Sequence, residues 1–498
     1  MSIMKFLKQL ALILIAILFI GWGSSAQAQS GHYSAQSLGL GGSGTAYLDT
    51  YHANFVNPAN LMLNADTKPS ISIGLLGGVS ATAGGPLMNI PVYNRHFTTG
   101  NVVRPEALDK WFGTALANNR AMGIEVDVIP LAGSWRRDKM AFSLAFRSRA
   151  LLSGSVNRGF SEILLTGISK ERFSEPQPAN FSSKGVAFSE LSAGFSYQLL
   201  ELPALLGIGE NVKLFAGVAP KYLIAHYTSS IDFNSTLQVT DSEVIHDFSY
   251  VFTSVGELTN QFEDYYQARQ EPNFDGEIGD FVDPDEASFT KTQGSGFGLG
   301  IGGTVEMDLA GPLKEAFSWI EGEKKLRVGL SITDIGSITY DRNTGQFSAD
   351  ETFTWEGINI EDGLSDNFAD SVQQEIYQNY EPSDSEEITE KLPTKLNFGA
   401  QLQAGKLGFA FDLQKGLYET GMNSPRMVLG LGAEYKLFDI IPLRAGYRTG
   451  GLTSSSLTFG TGIELRNFEF TVAGLTVLNA ENKGSAMGGA WSGFVIRF

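Results

Sequence analysis

Apolar and polar positions alternate one for one along much of the chain, which is the period of a pleated strand and not of a helix. Leu326, Val328, Leu330 and Ile332 alternate with Arg327, Gly329, Ser331 and Thr333. Leu396, Phe398, Ala400 and Leu402 alternate with Asn397, Gly399, Gln401 and Gln403. Leu407, Phe409, Phe411 and Leu413 alternate with Gly408, Ala410, Asp412 and Gln414. Each strand has one greasy face and one small or polar face, with glycine frequent on the second. The pattern predicts fourteen strands, over 68–82, 121–135, 139–156, 184–200, 211–228, 294–309, 324–340, 393–403, 405–416, 426–437, 441–449, 454–465, 467–477 and 489–498.

Alternation alone suits a soluble sandwich as well as a membrane barrel, because both give strands with two unlike faces. Loop lengths separate them. A barrel with both ends in the periplasm alternates short periplasmic turns with longer external loops. Counting back from a last strand that descends to the periplasm, the tight connections 136–139, 404–405, 438–440 and 467 all fall on the periplasmic side. The long segments 84–120, 157–183, 229–293, 341–392 and 478–488 all fall outside, and only the periplasmic links 201–210 and 310–323 are longer than the rest. The predicted fold is therefore all-β, a transmembrane antiparallel β-barrel spanning 68–498.

The first residues fix the route. Lys5 and Lys8 precede the apolar run Leu10 to Ile20 and the small-residue step Ala26-Gln27-Ala28, the layout of a cleavable signal peptide over 1–28. That run is too short to span a membrane as a helix, and no later apolar stretch is long enough. Cysteine is absent, which removes disulfide scaffolds, thiolate nucleophiles and Cys-ligated metals together. The net charge of −18 is localised. Between Asp241 and Thr290 there are 13 acids against one base, Arg269, and between Ala349 and Glu390 another 13 against none. Acidity thus belongs to two external loops, 229–293 and 341–392, and argues against nucleic acid as a partner.

The end of the chain adds an independent sign. Phe494, Ile496 and Phe498 alternate with Val495 and Arg497, and Gly493 stands five before the terminal aromatic. Gly493, Ile496 and Phe498 resemble the C-terminal signal read by the barrel-assembly machinery, although Trp491 occupies a place where that signal usually has a polar residue.

Residues 29–67 precede the first predicted strand and contain the run SAQSLGLGGSGTAYLDTYHANFVNPANLML from Ser34 to Leu63. Its glycines Gly39, Gly41 and Gly44, followed by Asn57-Pro58-Ala59 and Leu61, resemble the N-terminal plug of FadL-type transporters of hydrophobic compounds and of the related PorV-type barrels. The stretch Pro442 to Arg448 shares the likeness, while the acidic loops and the helix-like insert around 105–119 look more like an uncharacterised family of Bacteroidota outer-membrane barrels. The resemblance implies a fourteen-stranded barrel in the outer-membrane lipid with 29–67 folded inside as a hatch. It also implies one of two roles: passive uptake of a small hydrophobic molecule, or docking of a secretion-system partner through the acidic loops. Pro58 fixes its own φ and biases Asn57 to an extended conformation, which suits a fixed bend. The glycines also have GxGxxG spacing, but no strand precedes them, so a dinucleotide site is not expected.

Other candidate chemistry is thin. Arg147, Arg327, Asp412, Glu434, Arg444, Arg448, Glu464, Glu469 and Arg497 fall on the inner face, where they form either an ion-pair network bracing the wall or a polar track for a solute. Phe368, Val372, Ile376 and Tyr380 recur every four residues, as on one face of a short helix that packs over the mouth or gates it. Asp280, Asp283, Asp285 and Glu286 offer hard oxygens for calcium without EF-hand spacing. The five histidines lack metal-ligand spacing, and no nucleophile elbow is present, so neither an enzyme nor a cofactor is expected.

Overall fold

A computed structural model describes residues 34–64, 68–96, 103–271, 274, 276, 280–281, 290–356, 381–384, 387–418, 423–451, 453–477 and 484–498. The signal-peptide region 1–28, the candidate gate Phe368, Val372, Ile376 and Tyr380, and Asp283, Asp285 and Glu286 lie outside the described residues.

Fourteen antiparallel strands close on themselves. They are β1 (Ile71–Gly85), β2 (Asn119–Arg137), β3 (Met140–Asn157), β4 (Phe181–Leu205), β5 (Gly209–Val239), β6 (Gly294–Leu309) and β7 (Lys324–Tyr340). Next come β8 (Lys395–Ala404), β9 (Leu407–Gly416), β10 (Val428–Leu437), β11 (Ile441–Gly450), β12 (Thr453–Glu464) and β13 (Phe468–Val477). β14 is in two pieces, Ser485–Trp491 and Phe494–Arg497. Each strand pairs with its sequence neighbours, and β14 pairs with β1 through Val79↔Trp491 above and Ile73↔Ile496 below. Closure leaves no sheet edge, which is what lets β-structure sit in hydrocarbon.

The faces sort as the alternation requires. Leu144, Leu330, Leu431 and Phe459 are exposed on the outside, whereas Arg327, Ser331, Asn397, Asp412 and Glu434 are buried inside. Most of β8 to β13 are ten residues long, the length that just crosses a bilayer. β4 and β5 have 25 and 31 residues and run on past the external rim. There the upper part of β5 pairs with an added strand, Glu243–Val255, and that strand with Thr344–Glu356, so a sheet rises above one side of the mouth.

Two expectations need correction. The periplasmic link 201–210 is not long: β4 and β5 continue to Leu205 and from Gly209, leaving a three-residue turn whose Leu206 and Gly207 take φ of 52° and 70°. The link 310–323 does keep its length and contains a short helix, Gly311–Ala316. Nor are 229–293 and 341–392 plain loops, since they hold the added strands and the helix Glu257–Arg269. Their acids dominate the composition, but Phe248, Tyr250 and Phe252 alternate beneath it and supply the packing that orders the strands.

Candidate functional site in the lumen

Residues 34–64 are buried almost throughout and touch residues of all fourteen strands, so they lie inside the barrel. A short helix, Ala35–Gly39, is capped by Ser34, whose Oγ accepts from the Ser37 N–H at 3.1 Å. Turns over Thr50–His52 and Ala53–Val56 follow, and Asn57 then caps the Pro58–Met62 turn by accepting from the Ala59 N–H at 3.2 Å. Asn57 is extended, with φ −156°, as the residue before proline should be.

The six residues singled out in this segment all meet the wall. Gly39 rests on Arg444 and Gly460, while Gly41, at φ +73°, packs on the backbone of Leu431 and Tyr447. The Gly41 N–H donates to Thr458 Oγ1 at 3.0 Å. Gly44 donates its N–H to Asp412 Oδ2 at 3.1 Å, and the Thr45 N–H to the same oxygen at 2.9 Å. Asn57 Nδ2 donates to the Thr45 carbonyl and to Thr304 Oγ1, both at 2.9 Å. Pro58 and Ala59 press on Gly217, and Ser196 Oγ donates to the Ala59 carbonyl at 3.0 Å. Wall glycines are the counterpart that spacing did not single out. A Cβ at Gly217, Gly302, Gly329, Gly432 or Gly446 would collide with the segment, so the glycine-rich inner face records where the backbone passes close.

Asp412 collects one set of attachments. Its buried carboxylate takes three donors, all from the segment: the N–H groups of Gly44 and Thr45 and the hydroxyl of Thr45.

Charges on the inner face are paired at two heights. Near the periplasm, Arg444 donates to Glu434 at 2.8 Å and also reaches Glu464, Arg327 donates to Glu306 at 2.7 Å and to Asn64 at 2.6 Å, and Arg497 meets Glu469. Higher up, Arg147 holds Asp127 and, at 3.0 Å, Glu190; Arg149 holds Glu125 at 3.2 Å and Asp334 at 3.1 Å; Lys221 holds Asp334 at 2.5 Å. Arg448 is buried on the same face. Glu125, Asp127, Glu190, Lys221 and Asp334 were not among the residues picked from the pattern. Asp127 adjoins the bulge at 128–131 of β2 and Asp334 has a positive φ, and both irregularities interrupt the alternation that found the others. Above this belt the lumen turns apolar, with Leu151, Val186, Phe188, Leu223, Ile338, Tyr340 and Leu392 packed together.

The sequence profile of a family of unknown function, DUF5723, matches residues 58–474. The chain belongs to that family. No curated protein matches it in sequence. Among solved structures, a TodX monoaromatic hydrocarbon channel with a deltaS2S3 mutation is similar at 14% identity and a TM-score of 0.49, over 94% of this chain and 99% of that one. The Ralstonia pickettii toluene transporter TbuX is similar at 14% identity and 0.45, over 94% and 98%.

The remaining candidate residues of this DUF5723 chain sit at its two ends. Gly493, at φ +67°, makes the break between the two pieces of β14. Ile496 pairs with Ile73, and the exposed Phe498 donates its N–H to the Ile71 carbonyl at 3.0 Å. At the external end an aromatic cluster joins the added sheet to its neighbours: Phe233, Phe248, Tyr250, Tyr265 and Phe347 are buried, with Phe160, Phe181, Phe252, Phe262 and Phe353 packed around them. His246 lies within it, 2.8 Å from Ser235 Oγ, and burial holds its imidazole down to about 4. Among the described residues, no group of three or more His, Asp or Glu side chains is arranged to hold a metal.

Proposed function

We propose that this barrel resides in the outer membrane and takes up small hydrophobic molecules, with residues 29–67 as the hatch and Gly493, Ile496 and Phe498 as the mark read during barrel assembly. The observation that carries the reading is the vertical order of the lumen. An external aromatic cluster stands over an apolar mouth, and both stand over a passage that the N-terminal segment fills. Stacked rings offer a greasy molecule a dry surface at the cell exterior. Among the described residues no backbone–backbone hydrogen bond ties 34–64 to a wall strand, so the segment can be displaced without unzipping a strand. The FadL-type likeness of the plug residues points the same way.

Benzophenone, a small photoreactive hydrocarbon ketone, tests this on the full-length barrel. Labelling mapped to 248–274 and 340–353, and competed away by an unreactive hydrocarbon, is the expected result. Labelling confined to the outward side chains of β1 to β14 would mean that the molecule meets only the membrane face, and the uptake reading would be withdrawn.

The docking alternative draws on the sheet above the rim, which exposes Asp247, Asp350 and Glu351, with Asp241 exposed in the turn beside it. If the docking reading is correct, removing 349–390 releases proteins that co-purify with the chain. Full retention of those proteins would refute it.

A further inference from the structure

The outer wall is not uniformly convex. Across β7 to β12 the outward side chains leave a groove of about 590 Å³, with its low points at Ala400, Ala433 and Ala445 and its banks formed by Leu402, Phe409, Phe411, Leu431 and Leu457. Gly432 and Gly446 are direct cross-strand partners in its floor, and Ala433 and Ala445 are partners one step below. At those glycines the wall is only one backbone thick, because Leu40 and Gly41 of the lumenal segment lie against its inner side.

We propose that this groove is a binding site for one phospholipid, an acyl chain lying in the groove and the phosphate resting on lysines at its periplasmic foot. The groove belongs to the lipid-facing surface, so hydrocarbon is what it meets. With about 30 Å³ for a water-sized group, its volume holds on the order of twenty methylenes, which is one acyl chain. Charge at the foot completes the match. The turn Gly405-Lys406 and the start of β7 lie side by side, since the Gly405 N–H donates to the Glu323 carbonyl at 3.0 Å. The next turn is tied to them by the Lys436 N–H donating to the Lys406 carbonyl at 2.9 Å. Two adjoining rim positions thus place Lys324 and Lys406 below Leu326 and Leu402 of the groove, while the Lys436 side chain turns into the lumen to meet Glu464 at 3.0 Å. Lys406 is half exposed and pairs with Asp439 at 3.3 Å, leaving N–H groups for a phosphate. Lysines at a membrane surface attract acidic headgroups.

The test is native mass spectrometry of the full-length barrel titrated with palmitoyl-oleoyl-phosphatidylglycerol. One lipid per barrel is expected to survive activation that strips the others. Ala433→Phe with Ala445→Phe fills the groove and should lower the one-lipid species about tenfold, a difference of 1.4 kcal/mol. Leu144→Phe, on the far wall, should leave it unchanged. Lys324→Gln with Lys406→Gln changes only exposed rim positions and should reduce retention about threefold, so the proposal stays testable even if the phenylalanine variant fails to fold. Equal retention by both variants and the parent would overturn the site. Equal retention of dodecyl maltoside would show that any alkyl chain suffices and overturn the headgroup half of the proposal.

Discussion

Asp412 shows how one side chain can hold a whole segment. Its Oδ2 accepts from the N–H groups of Gly44 and Thr45 and from the Thr45 hydroxyl, and no cation is among its hydrogen-bond partners. Asp412→Leu removes that oxygen and leaves all three donors without it. A buried donor left unsatisfied costs about 1–3 kcal/mol, so hydrogen exchange at the amides of 40–48 is expected to quicken by about tenfold or more while β9 keeps its protection. Unchanged exchange in 40–48 would mean that the wall glycines, and not this carboxylate, hold the segment. Asp412 was legible in the sequence as an inward polar residue, and its partner Gly44 as one of a run of glycines. Their pairing was not, because 368 residues separate them and nothing local specifies the contact.

At the scale of elements, strand periodicity was the readable quantity. β7, β8 and β9 lie where the alternation put them, and the inward sets Arg327, Asn397 and Asp412 are inside. What eluded the pattern was height. Nothing in the alternation of Phe248, Tyr250 and Phe252 says that their strand stands clear of the membrane, since lipid and aromatic packing reward the same positions. That external sheet carries its own pH dependence. His246 is neutral where it is buried, with a value near 4, and titrates near its ordinary 6.5 when the sheet opens. The open form therefore binds the extra proton in that window. The stabilisation is fully present above pH 6.5 and is lost as pH falls from 6.5 towards 4, by up to about 3 kcal/mol. Proteolysis between 240 and 256 should rise steeply over that range in the parent and stay flat in His246→Gln, which has no proton to gain. A parallel rise in both would assign the effect to the surrounding carboxylates.

For the molecule as a whole, wall and lumenal segment are separable. Every backbone bond that closes the barrel runs between wall strands, including β14 to β1. Deleting 34–64 should therefore leave a barrel that still migrates faster unboiled than boiled on a gel. It should also raise single-channel conductance in planar bilayers, because the paired charges near the periplasm would then face water. A deleted form that no longer shifts on boiling would make the segment part of the scaffold itself. The segment's position also orders events in time. Gln36 finds Glu469 across 433 residues, and Leu38 packs on Ala490 of the final strand, so the berth of the earliest residues is finished only when the last strand arrives. Contacts of such long range are the slow ones to form. Residues 34–38 must wait, unhoused, until 485–497 has been woven in.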